Sequence, residues 1–213
     1  MIETIRRQIP YSEFDYQVLM DCLKDYAHPR DKVSDLLRKG HITRIKKGLY
    51  VFGEKYRQGS VSREVLANLM YGPSYISLDY ALHYYGLIPE RVEALTSVSL
   101  GRSRRFFTPA GLFIYRMIPL ESFRIGMDSV ELEDGRSFLI ATPEKALADK
   151  IRDSRGANIS TQRDMKTYLF ENLRIDKDTL VELSSERIDK IAEGYRSQRI
   201  RMLARLIKRL KAR

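Results

Sequence analysis

A helix that opens on proline, closes on glycine and runs straight into a glycine-turned pair of β-prone runs leaves few ways to fold. Residues 28–52, HPRDKVSDLLRKGHITRIKKGLYVF, have that form. Pro29 suits the first helical position and Gly40 a left-handed stop, so the spacing predicts a helix over 29–39. HITRI and LYVF then flank Lys46-Lys47-Gly48, where glycine supplies the positive φ of a tight hairpin. Val33, Leu36 and Leu37 are expected to face a core, leaving Arg30, Lys32, Ser34, Arg38 and Lys39 largely outside.

Upstream, YSEFDYQVLMDCLKDY reads as a further helix over 11–26. Ser12 is expected at its N-cap with Asp15 at N3, and Val18, Leu19, Cys22 and Leu23 form its apolar stripe. The order is helix, helix, hairpin. Charge is concentrated in the same stretch: residues 28–57 hold nine Lys and Arg against three acids, six of the whole chain's net ten positive charges. A helix fits the major groove of B-DNA, and a hairpin beside it can lie on the backbone. Arg30, Lys32, Ser34, Arg38 and Lys39 are therefore the expected helix contacts. Arg44, Lys46 and Lys47 of the hairpin would hold mainly phosphates. Asp31 and Asp35 oppose this unless they turn away or pair with Lys32 and Lys39, of which only the i,i+4 pair has good helix geometry. The expected fold is α+β: a winged helix-turn-helix over 1–58, then a mixed α/β domain with a helical C-terminal tail over 59–213.

In the second part, 61–71 and 77–85 read as helices, broken at Gly72-Pro73. Strands are expected at ALTSVSL, RRFFT, LFIYRMI, SVELE and RSFLIA, the last two joined by an Asp134-Gly135 turn. Thr142 and Pro143 open the helix PEKALADKI. Residues 160–213 are helical in pattern, with breaks near Asp176 and Ser184. Their end, RSQRIRMLARLIKRLKAR, has eight cations and no acid, with Ile200, Leu203, Ile207 and Leu210 on one side. It can pack on the body, grip nucleic acid or lie on an anionic membrane. In YGPSYISLDYALHYYG, Tyr80, Tyr84 and Leu87 read as a buried face with hydroxyls at its rim.

HPRDKVSDLLRKGHITRIKKGLYVF, SYISLDYALHYYGLIPERVEALTSVSL and ATPEKALADKI, in that order, resemble the AbiEi family of bacterial type IV toxin–antitoxin antitoxins, which are abortive-infection transcriptional regulators. The likeness spans roughly residues 28–152. It implies a protein that represses its own promoter by binding inverted repeats in double-stranded DNA, and that counteracts a nucleotidyltransferase-like toxin without a stable complex. For the antitoxin surface, the basic Arg102, Arg104 and Arg105 and the helix residues Lys145 and Lys150 are candidates. A plain winged-helix regulator with a ligand- or protein-binding second domain is the alternative.

No enzyme is expected. Glu131 and Glu133 lie on a predicted strand without the lysine that a metal-dependent nuclease core requires, and Pro143-Glu144-Lys145 is the wrong triplet. His28, His41 and His83 are scattered and Cys22 stands alone, so neither a zinc site nor an intramolecular disulfide is expected. There is no phosphate loop or nucleophile elbow. No cofactor and no metal follow. With no apolar membrane span and no secretory pattern at the N-terminus, a cytoplasmic location is expected.

Overall fold

The computed structural model describes residues 1–154 and 156–212 of the chain. It is a mixed α+β protein. The first part runs α1 (Ile2–Gln8), β1 (Glu13–Asp15), α2 (Tyr16–Cys22), α3 (Pro29–Arg38), β2 (Ile42–Lys46) and β3 (Leu49–Phe52). The strands form an antiparallel sheet in the order β1-β3-β2. Pro29 opens α3, and Gly40 and Gly48 take φ of +67° and +88° at the helix stop and the hairpin turn.

Two expectations fail upstream. The helix expected over 11–26 is shorter, beginning at Tyr16, and Asp15 is its N-cap, accepting from the Val18 amide at 2.8 Å. Residues 13–15 pair with β3 instead, and the Ser12 carbonyl accepts from the Phe52 amide at 3.0 Å. Pairing with a strand distant in sequence overrides the local capping signal. Val18 is exposed and Cys22 only half-buried, so Leu19 and Leu23 alone of the expected stripe are in the core.

The second part begins with α4 (Arg63–Met70), β4 (Ser74–Ile76) and α5 (Leu78–Tyr84). Strands β5 (Leu95–Ser99), β6 (Arg104–Thr108), β7 (Gly111–Met117), β8 (Met127–Glu131) and β9 (Ser137–Ala141) follow, with α6 (Leu120–Phe123) between β7 and β8. They make a six-stranded sheet, β6-β7-β5-β4-β9-β8. The pairs β4/β9 and β5/β7 are parallel, and an antiparallel hairpin closes each edge. Tyr115 donates its hydroxyl proton to the Ala67 carbonyl at 2.7 Å, which fixes α4 over one face of the sheet. Side chains alternate along β4, so Tyr75 points the other way, toward Phe123 and Lys145. There α7 (Pro143–Asp153) packs with α5, α10 (Ser185–Tyr195) and α11 (Gln198–Lys211).

Helices α8 (Gln162–Thr167) and α9 (Lys177–Glu182) complete the tail. Asp176 and Ser184 are N-caps, as the two breaks suggest. Ile200, Leu203 and Ile207 are buried and Leu210 half-buried, so α11 packs its apolar stripe on the body. Tyr84 is 45% exposed, contrary to the expected buried face, whereas Tyr80 is half-buried and donates to Glu64.

Strand β3 is a shared wall. Tyr50 and Phe52 enter a small core with Ile5, Ile9, Phe14 and Leu36, whereas Leu49 and Val51 enter the large core of the second part. Alternation carries Ile45, three residues on from Ile42, to the second core, and a bulge between Arg44 and Lys46 brings Lys46 to that same side. A strand buried on both faces reads as an unbroken apolar run, which LYVF is. No described helix is long and apolar enough to cross a membrane.

Candidate functional site

On α3, Val33 and Leu36 turn inward, and Arg30, Ser34 and Arg38 are exposed on the outer side. Asp31 and Asp35 share that side. Asp35 is held by Arg38 at 2.5 Å and by Lys39 at 2.7 Å, so two cations share one carboxylate and the trio keeps a single positive charge. Hydrogen bonds from Lys39 and then Arg38 keep the Asp35 carboxyl below its ordinary pKa. The Lys39 pair is the expected i,i+4 contact; the Arg38 pair at i,i+3 is an addition. Ser34 donates to the Arg30 carbonyl at 3.2 Å, and the half-buried Lys32 carries its ammonium 5.6 Å from the centre of the Tyr26 ring. Arg30 is thus the cation on the outer face of α3 with no carboxylate partner among the described residues.

The hairpin splits its three cations. Arg44 and Lys47 are exposed. Lys46 turns the other way: it donates to the Met70 carbonyl at the end of α4 and lies 5.6 Å from the Phe106 ring centre. Burial, followed by the nearby Arg104 charge, lowers the Lys46 pKa. The expected phosphate contact at Lys46 is therefore corrected: its ammonium joins the two parts of the molecule. The reason is the bulge, which turns Lys46 to the side that Ile45 already faces, toward α4.

A polar lock backs this contact. The buried Glu13 carboxylate accepts from the Ser62 amide at 2.6 Å and pairs with Arg136, which also holds Asp134 at 2.6 Å. Glu13 and Arg136 lie 123 residues apart, and no local sequence pattern announces the pair. Between the hairpin tip, β1 and α4 runs a groove of about 630 Å³ with Phe14, Val18, Leu49, Val65 and Leu69 along its walls.

The second set of candidates divides as well. Arg102, Arg104 and Arg105 are exposed along the edge strand β6 and the turn before it. Lys150 is half-buried and pairs with Asp79 at 2.7 Å. Lys145 is fully buried, so it cannot belong to a binding surface. Its ammonium pairs with Asp149 and donates to the Tyr195 hydroxyl at 2.9 Å. Asp149 also accepts from Tyr195 at 2.5 Å and from Ser77 at 2.7 Å, which satisfies the pair inside the core. Desolvation lowers the Lys145 pKa, and burial raises that of Tyr195.

Among the described residues, no three His, Cys, Asp or Glu side chains gather closely enough to hold a metal ion. Glu131 ends β8, and Glu133 lies beyond it in the turn. No family model matches the chain, and no curated protein matches it either.

Proposed function

We propose that this protein is a duplex-DNA-binding transcriptional regulator, with α3 as its reading helix and β2–β3 as its wing. The observation that carries this reading is the exposure of basic side chains on both α3 and the hairpin after it. Arg30, Ser34 and Arg38 are exposed on α3, and the hairpin that follows it exposes Arg44 and Lys47. The element order helix–strand–helix–helix–strand–strand, with its sheet in the order β1-β3-β2, supports a winged helix-turn-helix. Side chains of α3 would read base edges, while Arg44 and Lys47 would hold phosphates. Asp31 and Asp35 temper the field of the helix, so the hairpin would contribute much of the salt-dependent affinity.

The resemblance to AbiEi antitoxins extends the proposal. The protein would bind inverted repeats in its own promoter as a cytoplasmic repressor and counteract a nucleotidyltransferase-like toxin. The test uses the full chain, because a fragment ending near residue 58 would expose Ile45, Leu49 and Val51 to water. Labelled duplex from the upstream region should bind with steep salt dependence and in preference to unrelated duplex. Absence of duplex binding at low salt would end the regulator reading. For the antitoxin half, the full chain is co-expressed with the product of the adjacent open reading frame, and restored growth is the expected result. Persistent toxicity alongside intact operator binding would favour the plain regulator, for which the groove between hairpin and α4 offers a ligand pocket of ordinary size.

A further inference from the structure

The two edges of the large sheet differ in charge. Strand β8 exposes Asp128 and Glu131. Strand β6 and its preceding turn expose Arg102, Arg104 and Arg105, and no carboxylate pairs with these arginines among the described residues. Lys46 adds a fourth positive charge nearby, docked against Phe106. Like charges gathered without counter-charges oppose folding slightly, and an anionic partner removes that cost.

Arginines alone could simply blunt an edge against aggregation. Phe107 argues otherwise. It sits within the strand and is 81% exposed, the reverse of a protected edge. Alternation puts Arg105 and Phe107 on one face of the strand, beside the half-buried Ile114 and Leu112 that pair with them on β7. Arg104 and Phe106 point to the other face, where Arg104 lies 5.5 Å from the Tyr71 ring centre. β6 pairs on one side only, with β7, so its other side offers backbone donors and acceptors to an added strand.

We propose that β6 is a docking edge for an extended acidic segment of a partner protein, which adds as a seventh strand. Its carboxylates would meet Arg104 and Arg105, and an apolar residue would cover Phe107. Main-chain hydrogen bonds supply affinity in this mode of recognition, and the flanking side chains supply choice. The inference needs neither duplex DNA nor a toxin, so its failure leaves the regulator reading standing, and the converse also holds.

The probe is a short fluorescein-labelled peptide of valines around two adjacent glutamates, which point to opposite faces of an added strand as Arg104 and Arg105 do on β6. It is titrated with the full chain and read by anisotropy. The unmodified protein should bind it and ignore the lysine–valine counterpart. Arg104→Glu with Arg105→Glu should weaken binding by at least roughly tenfold and admit the lysine peptide. Phe107→Ser should weaken it by about fivefold, with thermal unfolding unchanged because the ring is exposed. Methylating alternate peptide nitrogens should abolish binding. Equal binding of the methylated peptide overturns strand addition. No binding of the acidic peptide, or its ready displacement by single-stranded oligothymidylate, overturns the acidic-protein partner.

Discussion

Helices α3 and α7 begin alike and end up in opposite surroundings. Each has proline at its first position and an Asp–Lys pair four residues apart: Asp35 with Lys39, and Lys145 with Asp149. On α3 the pair stands at the surface, shared with Arg38, and trims the charge of the face that would meet a duplex. On α7 both side chains are fully buried, and Ser77 and Tyr195 satisfy the remaining valences of Asp149. Spacing makes the pair; the surroundings decide what it is worth. Water screens the first to little net value, whereas the second has to be satisfied completely.

The contrast is broken most directly at Asp149. Asp149→Leu strands the Lys145 ammonium in the core and should lower unfolding stability in urea by about 3–5 kcal/mol. Adding Lys145→Met should restore most of the loss, since neither charge is then left alone. A single-variant cost no larger than that of Asp35→Asn would erase the distinction between the two helices.

Next in size is the lock between the modules. Glu13→Gln weakens the hold on Arg136 and the Ser62 amide, and should cost about 2 kcal/mol by thermal or urea unfolding. On α3, Arg30→Ala should leave stability unchanged. If the side chain reads a base, the variant should lose about 1–2 kcal/mol of preference at one operator position, seen by competition with single-base variants of the duplex.

The smallest effect has two signs. Asp35→Asn should leave stability almost unchanged while strengthening duplex binding, because Arg38 and Lys39 are released. Since those cations hold the Asp35 carboxyl below its ordinary value, its stabilisation is full above the usual aspartate pKa of about 4. It should fade as pH falls through the depressed value, and the asparagine variant should lack that acid-side loss.

What could be read from the sequence follows the same division. Where the signal is local, the elements stand: Pro29 and Gly40 bracket α3, Gly48 turns the hairpin, Asp134-Gly135 turns β8 into β9, and Thr142 caps α7. β1 and β4 escaped the reading because three-residue strands are defined by their partners, β3 for one and β5 and β9 for the other. α1 escaped too, although Ile2, Ile5 and Ile9 carry helical spacing. The site divides likewise. Arg30, Ser34, Arg44 and Lys47 are exposed as expected, but Lys46 follows a bulge toward Met70 and Lys145 meets Tyr195 from fifty residues away. Neither direction is encoded near the lysine itself.

The salt dependence of duplex binding tests the division of the hairpin most directly. Full-length protein is titrated against upstream duplex over a series of salt concentrations, as unmodified chain, Arg44→Ala/Lys47→Ala and Lys46→Ala. The double variant should lower the slope of log affinity against log salt by about two, and Lys46→Ala should leave that slope unchanged. An unchanged slope for the double variant, or a flattened one for Lys46→Ala, would contradict the outward grip of Arg44 and Lys47.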